Sequence, residues 1–175
     1  MMTTEDTAAQ QRLTALHKAL QERILILDGA MGTMLQKFNF SDDDFRGSVF
    51  RDHSHILKGD NDVLNLTQPQ AVLSVHAEYL RAGADIIETN TFNANRFSQQ
   101  EYGLSDKVYE LNRAGAAIAR SAADAFTEQD PAKPRFVAGS MGPTGKTLSL
   151  SPSVSDPAYR DLTFDELAEA YSKNV

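Results

Sequence analysis

Four short stretches combine small, polar and acidic residues in a way that suits a small charged molecule. They are Asp28-Gly29-Ala30-Met31-Gly32-Thr33, Asn65-Leu66-Thr67, Glu88-Thr89-Asn90-Thr91-Phe92-Asn93 and Gly139-Ser140-Met141-Gly142-Pro143-Thr144-Gly145-Lys146. Backbone N–H groups beside glycine and alanine are open to an anion, and the carboxylate of Asp28 can pair with an ammonium. A zwitterionic amino acid satisfies both demands. Turn formation selects the same residue types, so the pattern alone is equally compatible with plain turns.

Other chemistry-bearing residues are weaker. Gly142 to Thr147 resembles a phosphate-cradling loop, but that loop needs a glycine five positions before its Gly-Lys pair, where this chain has Ser140. Pro143 also removes a backbone donor from such a cradle. His53 and His55 are two apart with no third ligand in view, which favours a solvated loop over a metal site. Asp42-Asp43-Asp44 lacks the glycine and spacing of a calcium loop and reads as an acidic solvated loop. His76 lies on the apolar side of a helical pattern and reads as a hydrogen-bonded core histidine. With no cysteine, the chain has no thiol nucleophile, no disulfide and no thiolate ligand for a metal. No catalytic residue and no metal ligand is assigned within it.

These stretches need strands and helices to position them. Leu13, Leu16 and Leu20 recur at helical spacing, behind a capping-box pair at Thr7 and Gln10. Ile24 to Leu27 is an unbroken apolar run, as in a strand buried on both faces of a parallel sheet. Lys37 to Asp60 is expected to be an irregular functional loop. Asp62 to Leu66 is a second strand candidate. Thr67 with Gln70 is a second capping box, opening a helix that buries Val72, Val75, His76, Tyr79 and Leu80 and ends on Gly83. Ala84 to Thr89 and Arg135 to Gly139 are further strands, with an Ala-rich helix from about Ser105 to Phe126 between them. A Gly/Pro/Ser-rich loop then runs to about Leu162. Thr163 and Glu166 cap a last helix whose stripe is Phe164, Leu167, Ala168 and Tyr171.

This alternation predicts an α/β fold with a parallel sheet, all strand C-termini on one side, and the ligand site beyond those ends. The chain has 175 residues, enough for one domain with a real core, and its net charge of −7 carries no clustered basic face. Nucleic acid and anionic membrane surfaces are therefore poor partners. The longest aliphatic run is four residues and the N-terminus has no apolar signal core, which points to a cytoplasmic protein.

The same stretches resemble the homocysteine S-methyltransferases. The resemblance is carried by Leu27 to Gln36, by Asp44-Phe45-Arg46-Gly47, by Asn61 to Pro69, by Ala82 to Ala94 and by Gly139 to Lys146. Together they are similar to the N-terminal homocysteine-binding module of the cobalamin-dependent methionine synthases, from about Ile24 onward. The resemblance implies a (β/α)8 TIM barrel, of which this chain would form about the first four βα units. Residues 1–23 would be an N-terminal helical extension and residues 24–175 the N-terminal half of the barrel. It also implies homocysteine as substrate, zinc holding the thiolate, and methylcobalamin as methyl carrier, recharged by methyltetrahydrofolate in another module. By the same resemblance Asp28 takes the substrate ammonium, backbone N–H groups around Gly29 and Ala30 help seat the substrate, and Thr89, Asn90, Thr91 and Ser140 line the pocket. The family's zinc ligands are cysteines, so zinc and cobalamin are not expected on this chain alone, which is then inactive by itself. A betaine- or S-methylmethionine-dependent homocysteine methyltransferase and a phosphate-binding α/β module stand as alternatives.

Overall fold

A computed structural model describes residues 4–172. Helix α1 (Thr4–Glu22) includes Thr7, which therefore lies inside the helix instead of capping it. Its leucine stripe is not a core face: Leu13 and Leu20 are exposed and Ala19 is the buried position. No helix among the described residues is long and apolar enough to cross a membrane.

The sheet is small and parallel. Strand β1 (Ile86–Glu88) pairs with β2 (Phe136–Ala138), Ile87 opposite Val137. The expected first strand reaches β1 through a single parallel bridge, Leu27 to Ile86, flanked by bonds from Ile86 N to Ile26 O (3.1 Å) and Asp28 N to Ile86 O (2.9 Å). The expected direction is found, but the double burial is not: Ile24 is 86% exposed and Leu27 49%. An apolar run is buried only where another layer covers it, and no described element covers the outer side of this one.

Helix α2 (Met31–Gln36) follows the first loop and α3 (Asp42–Arg46) the second. The acidic run is thus a helix start and not a solvated loop: Ser41 and Asp44 form a capping box. The surrounding segment is ordered by two side chains. Asp42 accepts from Leu57 N (2.8 Å) and Lys58 N (2.9 Å), and Arg46 donates to Asp42 (2.6 Å) and to the carbonyls of His53 and His55.

The largest departure is at Asp62 to Leu66. It is helical: a 3-10 turn over Asn61–Val63 runs into α4 (Leu64–Thr67). A five-residue segment with three apolar positions does not distinguish strand from buried helix. Here Leu64 and Asn65 are both buried, facing different partners, which a helical turn permits. The capping box at Thr67 also fails to form, because Thr67 belongs to α4 and donates to Val63 O (3.3 Å). Helix α5 (Pro69–Ala82) starts instead on Pro69, whose missing N–H costs nothing at that position, and ends on Gly83 at φ +111°.

Helix α6 (Arg96–Gln100) is capped by Asn95, whose Oδ1 accepts from Phe97 N and Ser98 N. Helix α7 (Val108–Gln129) packs Ala119, Ala122 and Ala123 against Ile87 and Leu80, the close helix-on-sheet contact that its alanines allow. A larger apolar cluster joins α2, α3, α4, α5 and α7 through Leu35, Phe45, Leu64, Val72, Val75 and Leu111. Helix α8 (Phe164–Ser172) has the expected capping box, Glu166 N to Thr163 Oγ1 at 3.3 Å. Its expected stripe does not form a core face, since Phe164 is exposed and Ala170 is the buried residue. The architecture is helix-rich α/β, with two regular strands and one bridge among the described residues where four strands were expected.

Candidate substrate cleft

A cleft of about 390 Å³ opens beyond the carboxyl ends of the first strand, β1 and β2. Asp28, Gly29, Ala30, Gly32, Asn61, Asp62, Glu88, Thr89, Asn90, Asn93 and Ser140 line it, with Met31 and Phe92. Of the residues singled out in the sequence, Asp28, Gly29, Ala30, Thr89, Asn90 and Ser140 meet in this one space. Thr91 does not: it faces an adjoining groove with Tyr109, Arg113 and Met141.

The cleft is acidic. Asp28 Oδ1 accepts from Glu88 N (3.1 Å), which fixes the carboxyl at the tip of the first strand. Burial pushes the Asp28 carboxyl up to about 6; the Glu88 N–H opposes the rise and the Glu88 carboxylate adds to it. Asp62 accepts from Asn93 N (2.9 Å) and is pushed up to about 7, first by burial and then by Asp60. Asp60 is itself raised to about 6 by burial. Among the described residues no lysine, arginine or histidine lines the cleft. A cation entering it meets unneutralised carboxyl groups and lowers the cost of ionising them.

The hydroxyl groups at the β1 tip are already engaged. Ser140 N donates to Thr89 Oγ1 (2.9 Å) and Thr91 Oγ1 donates to Ser140 O (2.8 Å). The Thr89 and Thr91 hydroxyls are 2.6 Å apart. With the Thr91 proton on Ser140, the Thr89 proton must lie on Thr91. The three residues therefore latch the β2 loop to the β1 loop. Asn90 is likewise engaged, donating to Asn61 O (2.7 Å) and Asn65 Oδ1 (3.1 Å). Gly29 and Ala30 N–H groups have no hydrogen-bond partner among the described residues and remain open.

Asn61 and Asp62 were not singled out from the sequence. Their signal was the polar triplet Asp60-Asn61-Asp62 set directly before an apolar run. The other motifs lie elsewhere. His53 Nε2 is 2.7 Å from Tyr102 O, and His55 Nδ1 is 3.1 Å from Ser54 Oγ. His76 is fully buried with neither ring nitrogen bonded, so it is not the hydrogen-bonded histidine expected; burial alone pulls it down to about 4 and keeps it neutral. The loop at Gly142 is no phosphate cradle: Lys146 is paired with Asp161 (2.7 Å), Tyr171 donates to Gly142 O (2.6 Å), and no helix starts there. Among the described residues no group of three or more His, Cys, Asp or Glu is placed to hold a metal ion.

The family profile described as homocysteine S-methyltransferase matches residues 25–175. The chain belongs to the homocysteine S-methyltransferase family. Members of this family methylate homocysteine, and the match leaves the whole of α1 outside it. Among solved structures, the chain is similar to the homocysteine methyltransferase MmuM from Escherichia coli. The metallated form superposes with a TM-score of 0.63 at 24% identity, over 89% of this chain and 50% of that one. The oxidized form gives 0.58 at 28% identity, over 73% and 40%. The chain thus shares a fragment of the homocysteine methyltransferase fold and spans half or less of the length of these two structures.

Proposed function

We propose that this chain forms the homocysteine-seating half of a (β/α)8 methyltransferase of the cobalamin-dependent methionine synthase type. Asp28 receives the substrate ammonium, and the open N–H groups of Gly29 and Ala30 meet its carboxylate side. Thr89, Thr91 and Ser140 hold the β1 and β2 loops together as one wall, and Asn90 ties that wall to Asn61. The observation that carries this reading is the Asp28 carboxyl, half-buried in a cleft lined by no cationic side chain among the described residues. The Asn- and Thr-rich stretch from Glu88 to Ala94, by its resemblance to that branch, supports methylcobalamin as methyl donor, with methyltetrahydrofolate acting through other modules.

The sulfur requires a different site. Zinc in this family chemistry would present the homocysteine thiolate at neutral pH. The residues of this chain do not fit such an ion: there is no cysteine, and no alternative ligand cluster among the described residues. No methyl-transfer step is therefore assigned to them, and the isolated chain is expected to bind homocysteine without methylating it and without taking up zinc one to one.

Calorimetric titration with L-homocysteine tests the seating. Asp28→Asn is expected to weaken binding by about tenfold or more, the loss of a charged hydrogen bond. Wild-type affinity is expected to rise with pH through about 6, because only ionised Asp28 pairs with the ammonium. Equal affinity in the Asp28→Asn variant, or affinity that falls over that range, contradicts the assignment.

A further inference from the structure

The acidic cleft raises a question that Asp28 does not answer. A zwitterion brings a carboxylate into a space already holding Asp28, Asp62 and Glu88, with no cationic side chain among the described residues to receive it. Neutral donors must do so: the open backbone N–H groups of Gly29 and Ala30, joined by any side chain with a free donor. The side-chain donors of Asn90 are engaged, as are the protons of Thr89 and Thr91. Asn61 is different. Its carbonyl accepts from Asn90 Nδ2, which pins its backbone, while its own carboxamide has no partner among the described residues. Its Nδ2 stands 3.1 Å from where a Cβ on Gly32 would be, so the missing side chain at Gly32 makes room for it. Gly32 lies in the first turn of α2, directly after the loop that carries Asp28. In an α-amino acid the carboxylate and ammonium share one carbon, so a donor for the first must stand on the wall that holds the second. Asn93 and Ser140 lie on the separate loops after β1 and β2.

We propose that Asn61 donates its side-chain amide to the α-carboxylate of the substrate, making it a specificity residue for α-amino-acid thiols over simple aminothiols. This rests on the seating of homocysteine at Asp28. Two probes separate the claims: L-homocysteine, and 3-aminopropanethiol, which keeps the ammonium and thiol but lacks the carboxylate. Each is titrated into the full chain by nuclear magnetic resonance, with thermal unfolding confirming that each variant folds.

Asn61→Ala is expected to weaken homocysteine about tenfold while leaving 3-aminopropanethiol within about twofold. Asn61→Asp, nearly the same shape, is expected to weaken homocysteine further by repulsion and to strengthen 3-aminopropanethiol; it also serves if the alanine variant is unstable. Asp28→Asn is expected to weaken both probes. If Asn61→Ala leaves homocysteine unchanged, or weakens both probes equally, Asn61 is not the carboxylate donor, although the Asp28 assignment stands. If the wild-type chain binds neither probe, the seating at Asp28 falls and Asn61 falls with it.

Discussion

Two edges of the cleft are built from similar sequence and held in opposite ways. The first strand, Ile24 to Asp28, and β1 both end an apolar run in a polar loop. β1 is packed under α7, with Ile87 fully buried. The first strand is largely exposed; besides its backbone bonds to Asp85 and Ile86 it is tied down by one buried acid. Asp85, 1% exposed, accepts from Ile26 N (2.9 Å) and takes both ends of the Arg23 guanidinium (2.8 and 2.7 Å). Apolar burial positions one wall of the cleft, and a charged clamp positions the other. Asp28 is on the clamped wall, so its placement depends on a residue far from the cleft chemistry.

The largest expected effect follows from that clamp. Asp85→Ala removes the acceptor for Ile26 N and leaves Arg23 and Lys133 without their shared carboxylate. A loss of about 2–3 kcal/mol is expected in urea unfolding, since both cations can turn to solvent. The bonds from Arg23 hold the Asp85 carboxyl down at about 2. Its contribution is therefore fully present above the ordinary carboxylate range near 4 and is lost as pH falls through about 2. An Asp85→Ala variant whose deficit persists undiminished at pH 2 would remove the clamp from this comparison.

The β1–β2 wall should fail by crowding instead. A Cβ on Gly142 would sit 2.3 Å from Phe92 O and 2.7 Å from the Phe92 ring, whereas one on Gly139 would meet nothing within 4 Å. Gly142→Ala is expected to cost about 1–3 kcal/mol. Gly139→Ala, three residues away, should stay within about 0.5 kcal/mol. Equal costs at the two positions would show that the Phe92–Gly142 contact does not brace the wall. The smallest effect belongs to the exposed edge: Ile24→Ser should change stability by less than about 0.5 kcal/mol. A cost above about 1 kcal/mol would mean that the first strand is covered.

What could be read in the sequence divides along the same line. Helices α5 and α7, Gly83, β1 and β2 follow from local signals: a proline start, a left-handed glycine stop, alanine spacing and short apolar strands. Asp62 to Leu66 could not be read that way, because its helical turn is settled by distant groups. Asp62 is bonded by Asn93 N, and Asn65 donates to the carbonyls of Asn90 (2.7 Å) and Leu111 (3.3 Å). The cleft was legible as a set of strand tips, and most of those residues do converge. Which of them face inward with free donors was not legible. That depends on the proton order Thr89 to Thr91 to Ser140 and on the room left by Gly32, and neither has a signature in residue type or spacing.

The most direct test is a backbone amide titration of the full chain with L-homocysteine near pH 7.5, where Asp28 is ionised. The N–H signals of Gly29, Ala30, Thr89, Asn90 and Ser140 are expected to shift along one saturating curve, and Asp28→Asn is expected to push that curve to much higher ligand concentration. Shifts confined to one loop, or to the adjoining groove at Tyr109 and Arg113, would contradict a single cleft formed by the strand tips.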